Sequence, residues 1–142
     1  MIVVSDTSPL TALLAIGQGD LLTKLFGDVV IPPAVKSELL RTHSVLPAWL
    51  RVQALRDNVR AGIYARSVDR GEAEAIALAE ELHADHLLID ERKGRRLAQE
   101  QGLPSWDYSA WSCWPSANGL SRPHGNCWTA WIARQEFILA II

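Results

Sequence analysis

Four acids carry the chemistry this chain could do: Asp6, Glu38, Glu72 and Asp90, with Glu74 and Glu91 as near neighbours. Each stands where an apolar run gives way to a helical pattern, or within the first turns of that helix. Clustered carboxylates repel and are costly to bury unless a cation neutralises them. Oxygen ligands without His or Cys select Mg²⁺ or Mn²⁺ rather than zinc. An ion held by such a set can activate water and neutralise a phosphodiester, which is what metal-assisted hydrolysis requires. The basic run Arg92, Lys93, Arg95 and Arg96 follows Asp90 directly and could hold substrate phosphates.

Each residue also has a plainer role. Glu72 fits the last position of a capping box that opens with Asp69. Glu38 reads equally as an exposed helix acid, the arginines as a solvated face, and Asp6 as a helix cap. What favours a site is recurrence: four acids occupy the same kind of topological position.

The elements that must bring them together can be read in order. Met1-Ile2-Val3-Val4 is a short apolar strand of the kind a parallel sheet buries. Ser8 as N-cap and Pro9 at the first helical position then open a helix carrying Leu10, Leu13 and Leu14, with Gly17 as its stop. A strand feeding straight into a helix puts Asp6 at the carboxyl edge of the sheet, where open α/β sheets hold ligands. A short helix over 20–26 ends at Gly27. Val29-Val30-Ile31 is the second strand, and Pro32-Pro33 starts a helix with Val35, Leu39 and Leu40. Residues 49–55 alternate as a half-exposed strand, and 57–68 are weakly helical, with Arg56, Arg60, Arg66 and Arg70 as a basic face. The Asp69–Glu72 box opens an Ala-rich helix to Leu82. A strand over 86–89 ends at Asp90-Glu91 and leads into a basic helix, after which Gly102-Leu103-Pro104 should turn into one more strand.

Composition bounds the rest. A chain of 142 residues, 49% apolar and 21% charged, suits one soluble domain. Its net charge of -2 gives no global attraction for nucleic acid, so any such binding must be local. Four apolar residues with Asp6 close behind are no secretory leader, and no run approaches the ~18 apolar residues of a membrane span. Cysteine occurs only at 113 and 127, so no disulfide framework is implied and a cytoplasmic location is expected.

Val3-Val4-Ser5-Asp6-Thr7-Ser8-Pro9-Leu10, Ile31-Pro32-Pro33-Ala34-Val35-Lys36-Ser37-Glu38, Gly71-Glu72-Ala73-Glu74-Ala75-Ile76-Ala77 and Leu87-Leu88-Ile89-Asp90-Glu91-Arg92-Lys93-Gly94-Arg95 together resemble the PIN-domain proteins. The nearest branch is the VapC-related group with a Ser-Asp-Thr/Ser-Ser-Pro start and a Gly-Glu-x-Glu-Ala-Ile helix. The likeness spans residues 1–104. It implies a three-layer α/β/α sandwich on a mainly parallel sheet, and a Mg²⁺- or Mn²⁺-dependent ribonuclease. Such a protein is often a toxin held by an antitoxin protein, and often a homodimer. Carried over residue by residue, Asp6, Glu38, Glu72 and Asp90 surround the metal. Ser8 is a polar residue behind them, and Glu74 and Glu91 are the alternatives within each acidic pair. A phosphatase of the haloacid-dehalogenase kind also opens with a strand and an Asp. It wants a second Asp two residues on, where this chain has Ser8.

The likeness stops at residue 104. The last 38 residues hold five of the six Trp and both Cys, but only four of the charged residues, and show no helical or strand period. After Gly-Leu-Pro the family resembles a strand, a short Gly-containing turn and a helix. Trp106-Asp107-Tyr108, read two bases further on, must give Gly then Leu whatever the third bases are. Through Asn118 the same frame allows Gly-Leu-Phe-Gly-Val-Val-Leu-Leu-Ala-Lys-Arg-Lys, the missing family segment. Residues 105–142 are therefore expected to be an aberrant, out-of-frame tail, with the domain's last strand and helix lost. Cys113, His124 and Cys127 are then no zinc site, and they also lack a Cys-x₂₋₄-Cys knuckle. Exposed Trp and the apolar terminus 137–142 would make such a product poorly stable and prone to aggregate. Sequencing the gene should show the family segment restored by a frame change near Ser105. A likeness lost at any other point contradicts the frameshift.

Overall fold

The computed structural model describes residues 1–103 apart from positions 16 and 18. The Trp-rich tail, its frame and the expected final strand and helix lie outside these residues. Four strands, β1 (Val3–Ser5), β2 (Val29–Ile31), β3 (Leu50–Val52) and β4 (His86–Leu88), form one sheet in the order β3-β2-β1-β4. All pairings are parallel, with Val3 opposite Val29 and His86, and Val29 opposite Leu50. Helices α1 (Thr7–Ala15), α2 (Asp20–Phe26), α3 (Pro33–Thr42), α4 (Val59–Tyr64), α5 (Arg70–Leu82) and α6 (Arg92–Glu100) flank it. The architecture is the expected α/β/α one. Among the described residues no helix is long and apolar enough to cross a membrane.

The chain steps outward from β1 through β2 to β3, then crosses back to place β4 on the other side of β1. The carboxyl ends of β1 and β4 therefore straddle the point where strand order reverses, the usual ligand crevice of an open parallel sheet. The Asp6 N–H donates to the Leu88 carbonyl at 3.0 Å, which ties the two ends together just beyond the strands.

The first strand is shorter than its apolar run. Met1 and Ile2 are exposed, and the Ile2 N–H is held instead by the Asp85 carboxylate at 2.6 Å. The first helix also begins earlier than Ser8 and Pro9 suggest, at Thr7. Asp6 accepts from the Thr7 N–H and so takes the capping role itself. Pro9 falls third in the helix, where its missing N–H is still one of the four that a helix start leaves unpaired. The alternation over 49–55 yields only three strand residues at a sheet edge, with Leu50 buried and Val52 exposed.

Helix α5 organises the core. It packs on β1 and β4 and touches α3, α4 and α6. Every residue from Gly71 to Ala79 is buried, and its alternating alanines let neighbouring backbones come close. Ile76, Leu78, Leu87, Val4 and Ala98 are among the residues of the main apolar cluster. Within this packing Glu74 is a brace. One oxygen accepts the Ala34 N–H at the start of α3 at 3.0 Å, and the other accepts from Arg70 Nε at 3.0 Å. A helix start caps its free N–H groups with whatever acceptor is near, and here a second helix supplies it. Losing this acceptor would leave a buried N–H unpaired, at a cost of about 1–3 kcal/mol.

At the far end, α6 stops on Gly102 with a positive φ of 72°. The Leu103 N–H reaches the Ala98 carbonyl and the Gly102 N–H the Gln99 carbonyl, which is the Schellman pattern. The chain thus turns where Gly102-Leu103 led one to expect.

Candidate metal centre

Asp6, at the carboxyl end of β1, is 4% exposed. Burial is the main force on its carboxyl and pushes it up to about 7, against bonds from the Thr7 and Ser8 backbone N–H groups that favour the ionised form. The charges of Asp69 and Glu38 add to the upward push. Ser8 itself is exposed, so it serves Asp6 through its backbone.

Glu38 sits one turn into α3 and accepts the Thr7 hydroxyl. Its carboxylate also lies against Gly71 at the start of α5: a Cβ at position 71 would be 2.9 Å from either carboxylate oxygen. Only a glycine leaves that space. Thr7, which the residue types did not single out, links the two acids of β1 and α3.

Glu72 forms the capping box that its sequence position offers and keeps one oxygen outside it. The capping box is formed, with the Glu72 N–H donating to Asp69 Oδ1 at 2.8 Å and the Asp69 N–H to Glu72 Oε2 at 3.4 Å. That occupies one oxygen. The other, Oε1, is buried without a hydrogen-bond partner on a residue 2% exposed. It lies under α6, where a Cβ at Gly94 would stand 2.8 Å from it and 2.4 Å from Ile89 Cδ1. Burial, then the charges of Asp69, Asp6 and Glu91, push the Glu72 carboxyl up to about 7.

Among the described residues Asp69, Glu72 and Glu91 form an acidic group, one oxygen of each lying within 4.8 Å of the others. Opposite ligands of an octahedral ion at ~2.1 Å stand ~4.2 Å apart, so a small closure brings these oxygens onto one cation. The orphaned Oε1, the all-oxygen donor set and the mutual repulsion fit a hard divalent ion. Of the pair at the end of β4, it is thus Glu91 whose carboxylate joins Glu72. Asp90, exposed like Asp69 and Glu91, is not one of the three, and its backbone carbonyl accepts from Arg95. Glu74 points elsewhere, to the start of α3. Asp69 was legible only as a cap, because a capping carboxylate and a ligating one look alike in sequence. A capping box with acids at both ends does, however, place two carboxylates a hydrogen bond apart.

The basic run opens α6. Arg92 and Lys93 are exposed, Arg95 is engaged by the Asp90 carbonyl, and Arg96 pairs with Glu100 at 3.0 Å.

Without metal, Asp6 and Glu72 keep their protons in the fold up to about pH 7, well above their ordinary values of 3.8 and 4.5. The folded state then binds more protons than the unfolded chain between these limits, and stability falls as pH rises through them. The melting temperature of the metal-free protein should drop by several degrees from about pH 5 to about pH 7.5. Excess Mn²⁺ should recover it at the upper end, since ligation favours the ionised forms. Glu72→Gln should flatten both responses. A pH response that the substitution leaves intact, or a melt indifferent to Mn²⁺, contradicts this electrostatics.

No curated protein and no solved structure matches the chain. A family model described as PIN domain matches residues 2–106. With that match over most of its length, on an all-parallel sheet with acids at the ends of β1 and β4, the chain belongs to the PIN-domain family.

Proposed function

We propose that the chain is by descent a metal-dependent ribonuclease of the VapC-related branch, cytoplasmic, hydrolysing RNA phosphodiester bonds as the toxin of a toxin–antitoxin pair. The observation that carries this is the buried, unpaired Glu72 Oε1 among the charges of Asp6, Asp69 and Glu91. Asp6, Glu38, Glu72 and Glu91 would hold Mg²⁺ or Mn²⁺, with Asp69 joining them and Asp90 beside them. A divalent ion held there supplies Lewis-acid activation of water and neutralises phosphodiester charge. The chain's own residues do the positioning. Thr7 fixes the Glu38 carboxylate, the Asp69 backbone fixes one oxygen of Glu72, and the Thr7 N–H fixes Asp6. Arg92 and Lys93, with Arg95 and Arg96 behind them, are placed to meet RNA phosphates beside the end of β4.

The antitoxin and a homodimer enter on family grounds alone. The frameshift belongs to the same proposal. It leaves all the acids in place but removes the strand expected beside β4, which is an edge among the described residues. That open edge favours a second reading, a PIN module that binds RNA or a partner protein without cutting.

Purified protein should cleave single-stranded RNA only with Mn²⁺ or Mg²⁺. Asp6→Asn, nearly isosteric and relieved of repulsion, should lower the rate at least about a hundredfold while leaving the fold intact. Cleavage that survives chelation or Asp6→Asn contradicts the nuclease site. RNA binding without cleavage by a folded, monodisperse sample favours the non-catalytic module.

A further inference from the structure

We infer that the cleft between α3 and the start of α5 is a phosphate subsite for an RNA strand, holding a phosphate next to the one that lies on the acid cluster. This rests on the ribonuclease reading. The cleft, of about 150 Å³, is lined by Pro33, Ala34, Ser37, Glu38, Arg41 and Arg70. It adjoins the acids because Glu38 belongs to both: the same side chain accepts from Thr7 and lies against Gly71.

Two guanidinium groups, Arg41 and Arg70, stand beside the one carboxylate of the lining, Glu38, and give the cleft its donors for an anion. Arg70 is held side-on. Its Nε donates to Glu74 Oε1 at 3.0 Å, and Glu74 is itself anchored by the Ala34 N–H. The Arg70 side chain is itself exposed while Glu74 is buried, so the pair does more to orient the arginine than to stabilise the fold. What it does is fix the plane of the guanidinium while its terminal nitrogens keep no protein acceptor among the described residues. A guanidinium with those donors free matches a phosphate bidentately. Arg41, in the last turn of α3, is exposed and has no carboxylate partner among the described residues. The Ser37 hydroxyl donates to the Pro33 carbonyl at 2.9 Å, so the arginines carry the anion.

Topology places this cleft to advantage. Along the carboxyl edge of the sheet, β2 leads to α3 on one side of β1, and β4 leads to α6 on the other. A strand whose reacting phosphate lies over Asp6 thus meets the α6 cations on one side and Arg41 and Arg70 on the other. A row of carboxylates alone would repel that strand. Cations on both flanks hold the neighbouring phosphates while the acids stay free for the ion.

The test is binding of a fluorescently labelled single-stranded RNA to the Asp6→Asn protein in Mg²⁺, by anisotropy over a range of salt. Arg41→Ala with Arg70→Ala should weaken binding about tenfold and reduce the slope of log affinity against log salt by about 0.7 per arginine. Arg70→Lys, which retains charge but not the fork, should keep the slope and recover only part of the affinity. Arg51→Ala, which removes the Asp28 ion pair on β3 away from this edge, should change neither. If the double variant melts like its parent and keeps the affinity and slope, the subsite is overturned while the ribonuclease reading stands. If the parent protein binds no RNA, both fall together.

Discussion

Mutual repulsion of buried carboxylates is the constraint on which the rest of this structure depends. Asp6 and Glu72 are almost fully buried, Asp69, Glu38 and Glu91 act on them, and no cation among the described residues offsets the charges that crowd Glu72. Such a group must either hold protons or hold a metal ion. Both central carboxyls are pushed up to about 7, so near neutral pH their protonated and ionised forms are close in energy. Nearly every feature around these carboxyls can be understood as keeping them from moving apart.

The scaffold does this with backbone and small residues. Parallel strands β1 and β4 deliver their acids to one edge, and the Asp6 N–H to Leu88 carbonyl bond keeps those ends in step. Glycines at 71 and 94 let Glu38 and Glu72 lie where any side chain would collide with them. Glu74, two residues beyond Glu72, faces away and braces α3 against α5, so the helix that carries Glu72 also sets the helix that carries Glu38. One short sequence, Gly71-Glu72-Ala73-Glu74, thus supplies space, a buried carboxylate with a free oxygen, close packing and a brace.

Much of this was legible in the residues. Short apolar runs marked β1, β2 and β4, and the Asp69–Glu72 box marked the start of α5 to the residue. Pro9 misplaced the start of α1, because proline is tolerated anywhere in a first turn and Asp6 caps as well as Ser8 would. The choice between Glu72 and Glu74 could not be read from sequence. Residues two apart face in nearly opposite directions on a helix, but every position from 71 to 79 is buried, so hydrophobicity gives no outer face to orient by. The same holds for Asp90 and Glu91, whose roles turn on where β4 ends. The cleft beside Glu38 had no signature at all, since Arg41 and Arg70 are 29 positions apart and meet only through α3–α5 packing.

Calorimetric titration of Mn²⁺ into the metal-free protein at about pH 7, in buffers of different ionisation enthalpy, tests this account most directly. Ligation by carboxyls still partly protonated must release protons. The account predicts saturable binding with release of about one proton per ion, most of it lost in Glu72→Gln. Binding with no proton release, or no binding by a folded protein, would contradict it.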